Sequence, residues 1–229
     1  MTNRFQLCAT FVILGGIGCS ADIPAAESGD IGTGRFKAEV WGDNWFAVYL
    51  GDELIKEDSV PITTERSFNA ETFRFDAEYP LQINIVAKDF KENDTGLEYI
   101  GTRRQQMGDG GIIAQITDME TGKVIAVTNR DWKVLVTHKA PLDGDCAELS
   151  DPVAGEGPCG FESVPEPENW KSPEFRDADW APATEHSARA VRPKGGYDRI
   201  KWDTSARIVW SADLEKDNTV LLRYTVPAP

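Results

Sequence analysis

Nitrogen and sulfur ligands are scarce: two histidines, His138 and His186, and four cysteines are all that 229 residues offer, and their spacing matches no zinc site. Basic side chains are also few. With 24 Lys and Arg against 38 Asp and Glu the formal charge is -14, which excludes the basic surface that phosphate neutralisation requires and so excludes nucleic acid as a partner. No long helical periodicity runs through the chain, and the apolar run at residues 7–17 is too short for an ordinary membrane span. Phosphate-binding, dinucleotide-binding and EF-hand fingerprints are missing, as is the Gly-x-Ser-x-Gly nucleophile turn. What remains is a chain with 41% hydrophobic residues and seven tryptophans, enough for a substantial core.

Arg4 precedes the apolar run, which ends at Gly15-Gly16-Ile17-Gly18-Cys19-Ser20. This reads as a secretory signal, and the small residues before Cys19 resemble a bacterial lipobox, implying lipidation of Cys19 and a membrane anchor. Residues 1–19 are then signal, residues 20–34 a flexible tether, and residues 35–229 one domain outside the cytoplasm. Cys8 falls in the signal and Cys19 at its end, which leaves Cys146 and Cys159 as an even pair in an oxidising compartment. A disulfide between them stabilises by roughly 3 kcal/mol through the unfolded chain.

Residues 35–40 alternate, with Phe36, Ala38 and Val40 apolar and Arg35, Lys37 and Glu39 charged, the pattern of a half-buried strand. Further strands are predicted at residues 45–50, 71–76, 81–88, 112–118, 123–128, 132–137, 206–210 and 220–226. Met119-Glu120-Thr121-Gly122 joins two of them as a hairpin. Short strands with frequent turns predict an all-β fold, an antiparallel β-sandwich of jelly-roll type. Residues 89–111 form a long polar loop, and residues 142–199 an irregular, Pro-rich insertion pinned by the disulfide.

Several segments resemble galactose-binding-like β-sandwich domains: Trp170 with the stretch from Phe175 to Ala183, then Ala206 to Trp210, Leu221 to Val226, Gly42 to Asp52, and Leu81 to Ala87. The last two precede the others here, opposite to that family's order. The resemblance therefore implies a circular permutation in which the strand ending near Val226 lies beside the one starting near Arg35. It also implies that Trp180 and Trp210 pack between the sheets, and that carbohydrate and calcium are the natural ligands.

Tryptophan faces pack on sugar rings, and Trp45, Trp170 and Trp202, near loops, are the ligand candidates, with Asp43 and Asn44 beside Trp45. Asp89, Glu92, Asp94 and Glu98 supply the oxygen ligands that suit calcium. Arg103 and Arg104, followed by Gly108-Asp109-Gly110-Gly111, point to a carboxylate or sulfate on an acidic polysaccharide, or simply offset local acidity. No catalytic constellation emerges. The expectation is a non-catalytic glycan-binding module; the alternative is a lipoprotein that binds an envelope protein through residues 89–111, and a hydrolase comes third.

Overall fold

The alternating segment at residues 35–40 begins β1 (Gly34–Asp43), in which Phe36, Ala38 and Val40 are buried while Arg35 is exposed. The computed structural model describes residues 33–65, 67–89 and 92–229. Along these the strands are β2 (Trp45–Leu50), β3 (Glu53–Glu57), β4 (Phe68–Ala77), β5 (Leu81–Lys88), β6 (Leu97–Glu98), β7 (Gln106–Met107), β8 (Gly111–Asp118), β9 (Val124–Val127) and β10 (Lys133–Lys139). β11 (Glu162–Ser163), β12 (Ala181–Pro182), β13 (Thr184–His186), β14 (Ile208–Trp210) and β15 (Asp217–Val226) complete them. The signal, the lipidation site at Cys19 and nearly all of the tether lie outside the described residues.

The strands form an antiparallel β-sandwich. One sheet runs β13-β14-β8-β1-β4 with β9 also on β8, and the other runs β11-β10-β15-β5-β2-β3 with β12 also on β10. Period-two alternation aims Phe36, Val40 and Ile112 from the first sheet at Phe46, Ile83, Ile85, Val220 and Leu222 from the second, forming the inner core. Each such side chain contributes roughly 1.5–3 kcal/mol by leaving water. The β8–β9 hairpin turns at Gly122, whose φ of 70° is one that glycine adopts without steric penalty.

Part of each outer face is also covered, largely by the irregular insertion and the segment after it. On the second sheet Val86, Leu221, Leu135 and Tyr49 are covered by Trp170, Phe175 and Trp180; on the first, Trp41 and Ile113 are covered by Val191, Tyr197, Trp202 and Ile208. Trp180 therefore packs on an outer face instead of between the sheets, whereas Trp210 and Trp132 belong to the inner core. Trp180 is drawn outward because its segment is anchored to the outer surface by Arg223. That guanidinium is 2% exposed and donates to Asp177 Oδ2 (3.0 Å), Asn84 Oδ1 (3.3 Å) and the carbonyls of Trp170 and Ser172.

Gly34 pairs with Ala77 and Val226 with Leu81, so β1 begins and β15 ends at one pole of the sandwich. The two strands are not neighbours as expected, because β1 is flanked by β4 and β8 and β15 by β5 and β10. Their apolar rows face one another across the core, which buries both more completely than edge pairing would. At the other end of β1, about 30 Å away at ~3.3 Å per residue, the chain passes from one sheet to the other between Asp43 and Trp45.

Candidate functional site

Four carboxylates converge at this second pole. Asp43 is the last residue of β1, and Asp89 follows β5, its backbone N–H donating to Asn218 O at 2.8 Å. Glu98 lies on β6, where Gln106 of the paired β7 donates to its Oε2 at 2.9 Å. Asp109 stands between glycines that lead into β8. Asp43, Asp89 and Glu98 are 2%, 1% and 4% exposed, and Asp109 is half-buried. One oxygen each from Asp89, Glu98 and Asp109 lies within 4.8 Å of the others. Both oxygens of Asp43 are buried without a hydrogen-bond partner.

Such crowding has an electrostatic cost. Burial, then the charges of Asp89, Asp109 and Glu98, hold the Asp43 carboxyl well above its usual range, with Lys194 acting the other way. Glu98 is pushed up to about 7 by burial and by Asp109, against hydrogen bonds from Gln106 and Asn44. Asp109 is raised by burial, opposed by Lys194 and Arg192. The donor set consists of oxygen, the chemistry of hard divalent cations. Backbone packing holds the cluster closed: a Cβ on Gly108 would stand 1.5 Å from Asp89 Oδ2, so no other residue fits there without displacing that carboxylate.

The expected calcium ligands are thus half assembled. Asp89 and Glu98 meet, but Glu92 is exposed and Asp94 turns to His138, whose Nε2 is 3.2 Å from its Oδ1. Asp109 joins Asp89 and Glu98 in the cluster, and Asp43 lies in the field of all three. Sequence reasoning assigned Asp43 to sugar and passed over Asp109 because the four positions, spread from 43 to 109, have no ligand spacing. Only the crossing at Asp43 and the β6–β7 hairpin bring them together.

The sugar candidates do not form one platform. Trp45 is half-buried on the outer face of the second sheet with Lys88 Nζ 5.1 Å from its ring centre. Trp170, 3% exposed in the same cluster, donates from Nε1 to Glu166 at 2.7 Å. Trp202 covers the opposite sheet and donates to Tyr197 O at 3.1 Å. Asn44, 1% exposed, sits beside the carboxylates. Arg103 and Arg104 are exposed, the latter 6.0 Å from the Tyr99 ring centre. The glycines expected to receive an anion are packed instead, Gly110 against Trp210 and Gly111 against Val191 and Ile208. The local field at that point is that of carboxylates, which repels an anion.

Two of the surface grooves adjoin the candidate residues or the insertion. A groove of about 570 Å³ lies between Asp52 and the segment carrying Glu168, Asn169, Ser172, Glu174, Phe175 and Arg176. A second, of about 540 Å³, includes Arg103 and the backbone beside the Cys146–Cys159 disulfide, whose two cysteines are fully buried. Comparison of the chain with family models, curated proteins and solved structures finds no match in any of the three.

Proposed function

We propose that the protein is an exported, non-catalytic β-sandwich module that binds a glycan, and that its fold is a permuted relative of the galactose-binding-like domains. The observation that carries this is the character of the 570 Å³ groove: six of its seven lining residues, Asp52, Glu168, Asn169, Ser172, Glu174 and Arg176, carry hydrogen-bonding side chains, and the seventh is Phe175. Polar donors and acceptors beside an aromatic side chain suit a polyhydroxylated ligand. Of the lining residues, Phe175 is fixed from behind by Trp170, Trp180 and the Arg223 guanidinium. The groove's three acids favour a neutral glycan over the acidic polysaccharide suggested by the arginines. The buried disulfide is consistent with an extracytoplasmic location, and anchorage through Cys19 belongs to the same proposal.

Titration of the purified protein with a panel of neutral and acidic polysaccharides, read by tryptophan fluorescence, tests the reading. Saturable binding weakened at least tenfold by Asp52→Ala and Arg176→Ala, both exposed positions, supports it. Binding unchanged in both variants, or no binding to any glycan, ends it.

One observation favours the protein-partner alternative. Of the eight large exposed hydrophobics among the described residues, five lie between residues 142 and 164: Leu142, Leu149, Val153, Phe161 and Val164. Apolar exposure of this kind marks contact surfaces. Recovery of one envelope protein by the wild type and not by a Phe161→Ser, Val164→Ser double variant would move the assignment there.

A further inference from the structure

We propose that the carboxylate pole is a divalent-cation site of the calcium class, with Asp89, Glu98 and Asp109 as its ligands and Asp43 as the buried acid whose charge the ion would offset. The proposal stands apart from glycan binding and uses none of the groove residues. Two observations, each independent of the other, carry it.

The first is distance. Calcium sits about 2.4 Å from each oxygen, so two of its ligand oxygens can be at most about 4.8 Å apart. The oxygens of Asp89, Glu98 and Asp109 lie within 4.8 Å of one another, inside the separation that ligands of one such ion can have, so small side-chain adjustments bring all three onto it. The second is Asp43. It is 2% exposed, both of its oxygens are buried without a hydrogen-bond partner, and it lies in the field of the same three carboxylates. Burying a charged group without a partner is strongly unfavourable, and native proteins pair such groups or give them to metals. The charges of Lys194 on Asp43 and of Lys194 and Arg192 on Asp109 oppose this but do not outweigh burial.

Ligand chemistry selects the ion. The cluster has no nitrogen or sulfur donor, which disfavours zinc and copper. Magnesium dehydrates reluctantly and keeps several waters, whereas a site with three of four carboxylates almost fully buried must replace most of the shell with protein oxygen, as calcium permits. The bound ion would join the end of β5, the β6–β7 hairpin and the start of β8, tying residues 89–111 to the sandwich.

The test is calcium titration of the chelator-treated, purified protein by calorimetry, with terbium luminescence sensitised by tryptophan as a second readout; Trp210 abuts Gly110, next to Asp109. The expected result is one saturable site, terbium displaced by calcium and not by equimolar magnesium, and a calcium-dependent rise in Tm. Asp43→Asn and Asp109→Asn should each weaken binding at least tenfold, while Glu92→Gln and Asp94→Asn leave it unchanged. Absence of saturable binding overturns the proposal and assigns the balancing of charge to protons; equal loss in the Glu92 or Asp94 variant overturns the ligand set. Should Asp43→Asn fail to fold by circular dichroism, the half-buried Asp109 and the wild-type terbium signal decide. Glycan binding enters none of these readouts, so either claim can fail alone.

Discussion

Two buried charged regions of this sandwich solve the same problem in opposite ways. Arg223, on the outer face of the second sheet, finds an acceptor for each of its nitrogens in Asp177, Asn84 and two backbone carbonyls. Asp43, at the pole, has no hydrogen-bond partner for either oxygen and three carboxylates for company. A satisfied buried charge is a fastener: it holds the irregular insertion onto the sheet and needs nothing from solution. An unsatisfied one is a demand, met by a proton or by an ion. The difference is made by neighbours, since both residues lie on long, otherwise regular strands.

The largest expected effect is at the fastener. Arg223→Leu removes one partner of a buried polar network and should cost about 3–5 kcal/mol; urea unfolding followed by far-ultraviolet circular dichroism measures it, and a loss below 1 kcal/mol would mean that the network is dispensable. Next in size is the disulfide, which closes the segment at the edge of the same insertion. Cys146→Ser with Cys159→Ser should lose roughly 3 kcal/mol, read as a drop in Tm that reducing agent reproduces in the wild type and not in the double variant.

At the pole the expected sign reverses. In chelator, Asp43→Asn should stabilise the protein by about 1–3 kcal/mol, because it removes a buried carboxyl that has no hydrogen-bond partner and must bind a proton to be tolerated, while the same variant should gain no Tm when calcium is added. Destabilisation in chelator would show that the Asp43 carboxyl has a favourable partner in the folded protein. Gly108→Ala forces Asp89 to move and should reduce calcium affinity while leaving the polysaccharide titration intact. The smallest effect belongs to Trp45→Ala. As a half-buried member of the outer cluster it should lower stability by about 1 kcal/mol and leave glycan affinity within twofold, the reverse of what a sugar-stacking tryptophan would do.

Local pattern carried the strands. Phe36, Ala38 and Val40 announce β1 by alternation, and Gly122 announces the hairpin after β8. β3 escaped notice because its Glu-Leu-Ile-Lys-Glu places two apolar residues side by side at a sheet edge, with no period to read. Trp180 misled for a different reason: its motif resembles one that packs between sheets, but the buried Arg223 draws its segment to the outside. In the candidate cation site, Asp89 and Glu98 were legible as oxygen donors close in sequence, while Asp43 and Asp109 were not, since nothing local distinguishes them from the other acids of this chain.

Composition and alternation by themselves determined an acidic, all-β domain with an even cysteine pair, because side-chain period and charge are properties of neighbours in sequence. Which carboxylates share a pocket, which face each tryptophan covers and where the two ends of the domain meet were decided only by tertiary structure. Those are outcomes of strand order and register, in which residues far apart along the chain compete for the same few ångströms of space.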